Sequence, residues 1–327
     1  MTQPVLGIDI AKDTFDVCLL LDDKHRPAQF ENNLAGFKKL SRWMSKFVQV
    51  KVHACLEPTG QYGEALAEYL FQQEQDVSIV NPARIKAYGR SKLRRNKTDK
   101  ADAELIALYG LREQPTLWTP PPASFKDLQA LVRRYEDLQA MYQQENNRLK
   151  SGTRQPDVIA DLQEHLAYLE QKLSQSLQAI QDHIQSHAEL KQRQELLLSI
   201  PGIGKLTAAK LLAEIREIDA FEDARQLAAY AGVTPGNFVS GSSIHKKAHM
   251  TKMGNTNLRK ALYMPAISAK RHNPIVHAFC DRLLAAGLRP KQVIGAAMRK
   301  LLHLVFGILK SGKPFDPNFL DNKLIAS

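Results

Sequence analysis

Cysteine is scarce in this 327-residue chain: Cys18, Cys55 and Cys280 are the only three, with no CxxC or Cys/His spacing. That argues against a disulfide framework or a zinc site and suits a reducing cytoplasm. Apolar runs of the roughly eighteen residues that span a bilayer are also lacking. So is a basic leader with an apolar core and a small-residue cleavage site. A cytoplasmic protein with no membrane partner is therefore expected. Long low-complexity segments are missing, as are internal repeats of about twenty to fifty residues. Acidic charge is scarce in one region only. Residues 199–327 carry 8 acidic against 19 basic side chains, whereas residues 1–198 carry 26 of each, so the whole net charge of +11 lies in the last part. Such a region attracts polyanions, because each phosphate it neutralises releases condensed counterion. A basic surface that serves only solubility is the bland alternative. Nucleic acid is the favoured partner.

What is present suffices for two domains and a connector, with 44% hydrophobic residues to build ordinary cores. Residues 1–123 alternate strands and helices. Pro4–Ile10 and Thr14–Leu21 read as strands, followed by a weaker one near Ala28–Glu31, a helix over Leu34–Phe47 and a strand over Val50–Leu56. A helix over Tyr62–Gln73, a strand over Asp76–Val80 and a helix over Thr98–Leu111 complete a mixed sheet with helices against it. Gln114–Pro122, with Pro115, Pro120, Pro121 and Pro122, reads as a linker. Residues 124–195 are helical. Leu162, Leu166, Leu169, Leu173, Leu177, Ile180 and Ile184 recur at steps of three and four, with a stutter at Leu173–Leu177. This predicts an antiparallel helical hairpin or a coiled-coil arm, paired within the chain or between chains. Residues 196–327 are predicted to be helical and punctuated by glycine.

Four carboxylates stand where chemistry would need them. Asp9 ends the first strand, Glu57 follows the strand ending at Leu56, and Asp99 and Asp102 open a helix on one face. If the two strands are parallel neighbours, both strand-end acids emerge at one edge. Converging carboxylates repel without a cation, and hard divalent ions such as Mg²⁺ take this ligand type. Two such ions, roughly 3.5–4 Å apart, stabilise attacking and leaving oxygens in phosphodiester chemistry. Singly, each acid also fits a turn or a helix first turn. Asp13, Asp16, Asp22, Asp23 and Glu104 are expected to be mostly solvated bystanders. Arg90, Lys92, Arg94, Arg95 and Lys97 precede the paired Asp and read as phosphate-backbone clamps, or as a solvated basic loop.

Further on, Ser199–Lys205 (SIPGIGK) reads as a Gly-rich turn between helices. Gly202, Gly204 and Lys205 could present a helix N-terminus to phosphate, as in a helix–hairpin–helix. A packing corner without ligand is the alternative. A dinucleotide fingerprint fits poorly, for want of a preceding strand and a third glycine. Ser240–Ser243 (SGSS) reads as a loop, flanked by Lys246, Lys247 and Lys252. A serine hydroxyl among cations can attack a phosphodiester. His245 and His249 are candidate bases by proximity alone.

Taken together, GIDIAKDTFDV at Gly7–Val17, LEPTGQY at Leu56–Tyr62, RNKTDKADA at Arg95–Ala103, SIPGIG at Ser199–Gly204, AYAGVTP at Ala229–Pro235, SGSS at Ser240–Ser243 and RKALYMPA at Arg259–Ala266 resemble the DEDD transposases of bacterial insertion sequences. That family is numbered one hundred and ten among insertion sequences and includes the Piv-like DNA invertases and the bridge-RNA-guided recombinases. The resemblance implies an RNase H-like (RuvC-like) domain, a coiled-coil connector and a mainly α transposase domain at residues 196–327. It implies that Asp9, Glu57, Asp99 and Asp102 hold Mg²⁺, with Mn²⁺ as a substitute, and that Ser240 is a nucleophile forming a phosphoserine link. It also implies donor and target DNA duplexes, a structured noncoding guide RNA, homodimers or homotetramers with composite sites, and association with the nucleoid during activity. Rival expectations are a Holliday-junction-type nuclease using water, an invertase without RNA guide, an actin-like ATPase or sugar kinase, and an inactive DNA-binding protein. The basic helical C-terminal part lacks the Gly-rich phosphate hairpin that the kinase reading needs.

Overall fold

The computed structural model describes residues 3–22, 24–57, 62–92, 99–152, 154–240 and 244–318, with the side chains of 99–100, 237–240 and 244–249 left out. The chain divides into two compact units, residues 1–120 and 121–327.

The first unit carries a five-stranded mixed sheet. Its strands are β1 (Val5–Ile10), β2 (Thr14–Leu21), β3 (Lys24–Glu31), β4 (His53–Leu56) and β5 (Asp76–Ile79), in the order β3-β2-β1-β4-β5. The first three are antiparallel neighbours, joined by turns too short to cross over. β4 lies parallel to β1, and β5 parallel to β4, each reached through a helix. Helices α1 (Leu34–Met44) and α2 (Glu64–Gln72) contribute Phe37, Leu40, Leu66 and Leu70 to one core, with Leu6, Ile8, Leu19, Ala54 and Leu56 from the sheet. Asn33 starts α1 by accepting from the Gly36 amide at 2.9 Å, an N-cap that satisfies one orphan donor.

The other sheet face receives α4 (Asp99–Glu113), whose Leu105, Ile106 and Tyr109 pack with Val5 and Cys55. Its Ala103 and Ala107 pack with Cys18 and Leu20. Here residue 7 decides the spacing. A Cβ on Gly7 would stand 2.1 Å from the Ala103 carbonyl oxygen and 2.3 Å from the Ala107 nitrogen. At the other end of the helix a Cβ on Gly110 would stand 2.5 Å from the Cys55 sulfur. α4 thus runs antiparallel to β1, and its first turn lies toward the strand's C-terminal end.

Helix α3 (Pro82–Ser91) was not anticipated. Asn81 caps it, accepting from Ala83 at 2.8 Å, with proline at its start. The Pro-rich segment after α4 is no free linker over its whole length. Ser78 Oγ donates to the carbonyls of Pro115 and Thr116, both at 3.0 Å, and the Trp118 amide donates to Val77. Trp118 itself packs on the first core.

The second unit is mostly helical. α5 (Ala123–Lys150) and α6 (Pro156–Ser186) form an antiparallel hairpin within the chain. The pairings Ser124 with His183, Tyr142 with Glu170 and Glu145 with His165 run in opposite senses along the two helices. Phe125, Leu128, Val132, Ile180 and Ile184 join the main core at the base of this arm. Leu162, Leu166 and Leu169 are buried outside that core. Leu173 and Leu177, at the stutter, are only half-buried, as expected where the stripe changes face.

α7 (Ala188–Leu198), α8 (Lys205–Ile215), a short 3₁₀ turn (Ile218–Ala220), α9 (Ala224–Tyr230), α10 (Thr256–His272), α11 (Pro274–Ala285) and α12 (Pro290–Ser311) surround one core. The region is mainly α, as expected; one correction is that an unanticipated β-hairpin, β6 (Pro235–Ser240) with β7 (Ile244–Met250), interrupts the helices. Polar, lysine-bearing strands gave no apolar alternation to betray it. A second correction concerns length. α12, at 22 residues, is long and apolar enough by composition to cross a membrane. Val293, Ala297, Met298, Leu301, Leu302, Val305 and Ile308 are instead buried in the core, and that burial accounts for its apolarity.

Gly7→Ala is expected to destabilise the first unit by about 1–3 kcal/mol, the usual cost of overpacking, because the clash is with backbone. Urea unfolding followed by tryptophan emission checks this, since Trp43 and Trp118 both pack on its core.

Candidate active site

The parallel pairing of β1 with β4 matches Val5 with His53, Leu6 with Ala54, Gly7 with Cys55 and Ile8 with Leu56. One step further, Asp9 and Glu57 follow in register at the sheet's C-terminal edge, both partly buried. Alternation puts Asp9 on the face of Gly7, the face that α4 covers. Asp102, also partly buried, immediately precedes Ala103, the residue whose carbonyl meets Gly7. Asp99 opens the same helix, and its side chain lies outside the described residues. Among the described residues, no group of three or more His, Cys, Asp or Glu side chains stands close enough to hold a metal ion. The fold therefore brings Asp9, Glu57 and Asp102 to one end of the sheet without closing them into a ligand cluster. As a donor set, carboxylates alone fit a hard cation such as Mg²⁺ or Mn²⁺ and not a soft one.

Asp16 belongs to this neighbourhood, and its expected solvation is corrected. It lies directly across from Asp9 in the antiparallel β1–β2 register, on the same face. It is only 5% exposed, and Gln29 donates to it at 2.9 Å. Like charges directly opposite each other on a sheet are destabilising, so the pair adds to the demand for a cation. Alternation counted along the second strand from Cys18 would have found it. Asn32 was missed as well. Its amide donates to the carbonyls of Ala11 and Tyr62, both at 3.0 Å, tying the loop after Asp9 to the segment after Glu57.

The basic residues separate by location. Arg90 and Lys92 are exposed at the end of α3, Lys92 with its ammonium 5.6 Å from the centre of the Tyr88 ring. A Cβ on neighbouring Gly89 would lie 2.9 Å from Leu105, one turn beyond Asp102. Arg94, Arg95 and Lys97 lie outside the described residues.

In the second unit, the turn between α7 and α8 uses its two glycines differently. Gly202 has φ +103° and faces the α10 backbone, where a Cβ would stand 2.7 Å from the Ala269 nitrogen. Gly204 caps α8 with open space before it and without a side-chain hydrogen bond, and Lys205 is exposed beside it. The base of the β6–β7 hairpin is held tightly. Gly232 (φ +67°) and Gly254 (φ +138°) sit where a Cβ would meet Met253 and Tyr230 carbonyls at 2.8 and 2.2 Å. Thr251 donates to Thr234, and Asn255 donates its backbone amide to Tyr230. The Asn255 side chain reaches buried Glu214 at 2.7 Å, and Arg133 holds the other Glu214 oxygen at 2.8 Å. Ser240 ends β6, paired in register with Ile244. Its side chain, residues 241–243, and the side chains of His245, Lys246, Lys247 and His249 lie outside the described residues. Lys252 is exposed at φ +55° just past the hairpin. Burial pushes the Cys55 thiol up to about 12 and raises Cys280 above its ordinary value, which disfavours a thiolate at either.

An acid-edged α/β unit followed by a basic helical one is the arrangement of an enzyme that acts on DNA, and comparison with known proteins makes the class specific. Residues 6–155 match the DEDD transposase family of IS110 type, and residues 194–281 match the transposase IS116/IS110/IS902 family. The pilin gene-inverting protein of Moraxella bovis is 37% identical over 320 residues, covering 97% of this chain and 98% of that protein. Its counterpart from Moraxella lacunata is similar to the same degree, 37% over 320 residues. The transposase for insertion sequence element IS1111A of Coxiella burnetii is 24% identical over 302 residues, 82% of this chain and 78% of the relative. The class is that of DNA recombinases and transposases. The chain belongs to the IS110 family within it.

Asp16→Asn is expected to stabilise the first unit in metal-free buffer by up to about 1 kcal/mol, read as a higher urea midpoint. The amide relieves the repulsion from Asp9 and still accepts from Gln29. Added Mn²⁺ should erase the advantage; parallel titrations with and without the ion check it.

Proposed function

We propose that this recombinase cuts and rejoins DNA by transesterification, with Asp9, Glu57, Asp99 and Asp102 holding Mg²⁺ or Mn²⁺ and Ser240 as the nucleophile. The observation that carries the reading is the register that delivers Asp9 and Glu57 to one edge, at the end where α4 begins. In this reading the first unit is a RuvC-like, RNase H-like domain, a fold whose strand order and connections agree with the sheet described above.

When bound, the divalent ions would polarise the target phosphate and steady charge on its oxygens. The acids then serve to hold the ions and orient the phosphodiester. Ser240 Oγ bonds to phosphorus as one DNA P–O bond breaks; the serine gives up its proton and the departing DNA oxygen gains one. The ester count is unchanged, so the phosphoserine link retains the energy needed for rejoining and no nucleotide cofactor is required. The stapled hairpin base supports this role by giving a tip-borne serine a rigid mount. Arg90, Lys92, Arg94, Arg95 and Lys97 are assigned to the DNA backbone near the acids, and Lys246, Lys247 and Lys252 to the backbone near the serine. Gly202, Gly204 and Lys205 form a helix–hairpin–helix whose uncapped α8 N-terminus suits a phosphate.

Each strand break consumes one serine, so exchange between donor and target duplexes calls for a homodimer or homotetramer. Excision and insertion of the chain's own element, or inversion as in the pilin gene-inverting relatives, are the two outcomes this chemistry serves. A structured noncoding RNA is proposed as the guide, on the strength of the family resemblance. RNA that co-purifies and matches sequence beside the gene supports guidance; full activity on naked DNA without RNA opposes it.

Ser240→Ala is expected to abolish both the denaturant-stable protein–DNA link and strand exchange. Asp102→Asn should lower cleavage by roughly a hundredfold or more. Cleavage by Ser240→Ala at the wild-type rate would mean that water is the nucleophile, as in a junction nuclease.

A further inference from the structure

The basic residues considered so far do not include those around a cavity of about 820 Å³ where α10, α11 and α12 meet. Tyr263, Ile267, Lys270, Arg271, Lys291 and Ile294 line it. Tyr263 is 49% exposed at the cavity's edge, with an apolar ring body available for contact. His277 completes the rim, with one ring nitrogen on the Lys270 carbonyl at 2.9 Å and the other paired with Asp281 at 3.1 Å. Among the described residues, no carboxylate forms an ion pair with Lys270, Arg271 or Lys291.

Helix electrostatics explain half of this charge and not the rest. Lys270 and Arg271 lie in the last turn of α10, where cations complement the negative end of the helix dipole. Lys291 and Arg289 lie at the start of α12, which carries no acid in its first turn. Cations at the positive end of a helix cost stability, so their placement calls for an anion from outside. The cavity offers positive charge from two helices, an aromatic ring and apolar Ile267 and Ile294. This combination meets the phosphate and the base of an unpaired nucleotide together, which is how sequence-tolerant single-strand sites are built. A concavity of this size accommodates a group as large as a nucleotide.

We propose that the α10–α11–α12 cavity binds unpaired nucleic acid, with Lys270, Arg271 and Lys291 on the phosphates and Tyr263 stacked on a base. The proposal rests on the chain's action on DNA and is independent of the acids and of Ser240. RNA and DNA strands share this chemistry, and the experiment separates them.

Fluorescence anisotropy of labelled single-stranded RNA, single-stranded DNA and duplex DNA of equal length, over a range of salt, tests it on the full chain. Lys270→Gln/Arg271→Gln/Lys291→Gln is expected to weaken single-strand binding about tenfold or more and to reduce the salt slope by about two, at roughly 0.7 per phosphate. Duplex affinity should change less than about twofold, since the charge outside the cavity is untouched. Tyr263→Ala should cost about tenfold and Tyr263→Phe about twofold at most, because only the ring is needed for stacking. Loss confined to RNA identifies a guide-type strand as the occupant, and loss confined to DNA identifies an opened duplex; either supports the site. Binding is read without strand cleavage, so this result and the identity of the nucleophile are tested separately. Unchanged single-strand binding in the triple variant, with a native circular-dichroism spectrum, overturns the proposal. An equal loss on duplex overturns it too, by reducing the cavity to general electrostatic attraction.

Discussion

Helix α4 lies on β1 at backbone distance because residue 7 has no side chain, and the arrangement of the first unit depends on that contact. With any larger residue the Ala103 carbonyl and Ala107 amide would have to withdraw. The first turn of α4 would move with them, carrying Asp102 away from Asp9. The same strand fixes Glu57, because only a parallel β4 in this register ends beside Asp9. One backbone contact and one strand pairing thus gather acids that are far apart in sequence. The antiparallel neighbour adds buried Asp16 to the row. Carboxylates in such a row repel one another, which fits the metal-holding role proposed for them.

The second unit answers a different requirement, a fixed platform for a polar hairpin. The base of the β6–β7 hairpin is fixed by backbone contacts, and Met250 at the end of β7 packs against the main core. Gly232 and Gly254 allow the chain segments to approach within carbonyl contact. Asn255 caps α10 with its side-chain oxygen while its amide nitrogen bonds Glu214, which links the hairpin base to α8 and, through Arg133, to α5. Ionic and cap interactions thereby do for this element what hydrophobic burial does for the sheet of the first unit.

Much of this was legible in the residues. Val5–Ile10 and Val50–Leu56 announce themselves as strands by β-branched and apolar content, and the acids at their ends, Asp9 and Glu57, follow. The leucine steps in α6 forecast a paired helix, and the pairing proved to be within the chain. Other features left weaker traces. The edge strand β3 begins two positions beyond a turn with Lys24, His25 and Arg26, polar residues that lengthen an edge strand without betraying it. α3 hid behind Asn81–Pro82, a pair that signals a turn as readily as a cap and N1 proline. The Ser/Gly stretch at 240–243 reads as loop and gives no hint of the strands on either side. Asp16 is legible only through the alternation of its strand from Cys18, and its place opposite Asp9 only through the register of the two strands. The cavity at α10–α12 depends on three helices meeting, which no local pattern encodes.

In the proposed function the acids turn a nucleic-acid-binding fold into a cutting one, and their joint action through a divalent ion is open to direct measurement. Mn²⁺ titration of the full chain, with free ion followed by electron paramagnetic resonance, compares wild type with Asp9→Asn and Asp102→Asn. The predicted result is saturable binding by the wild type and at least about tenfold weaker binding by both variants, the scale on which losing a ligand acts. Identical titration curves for all three proteins would contradict it.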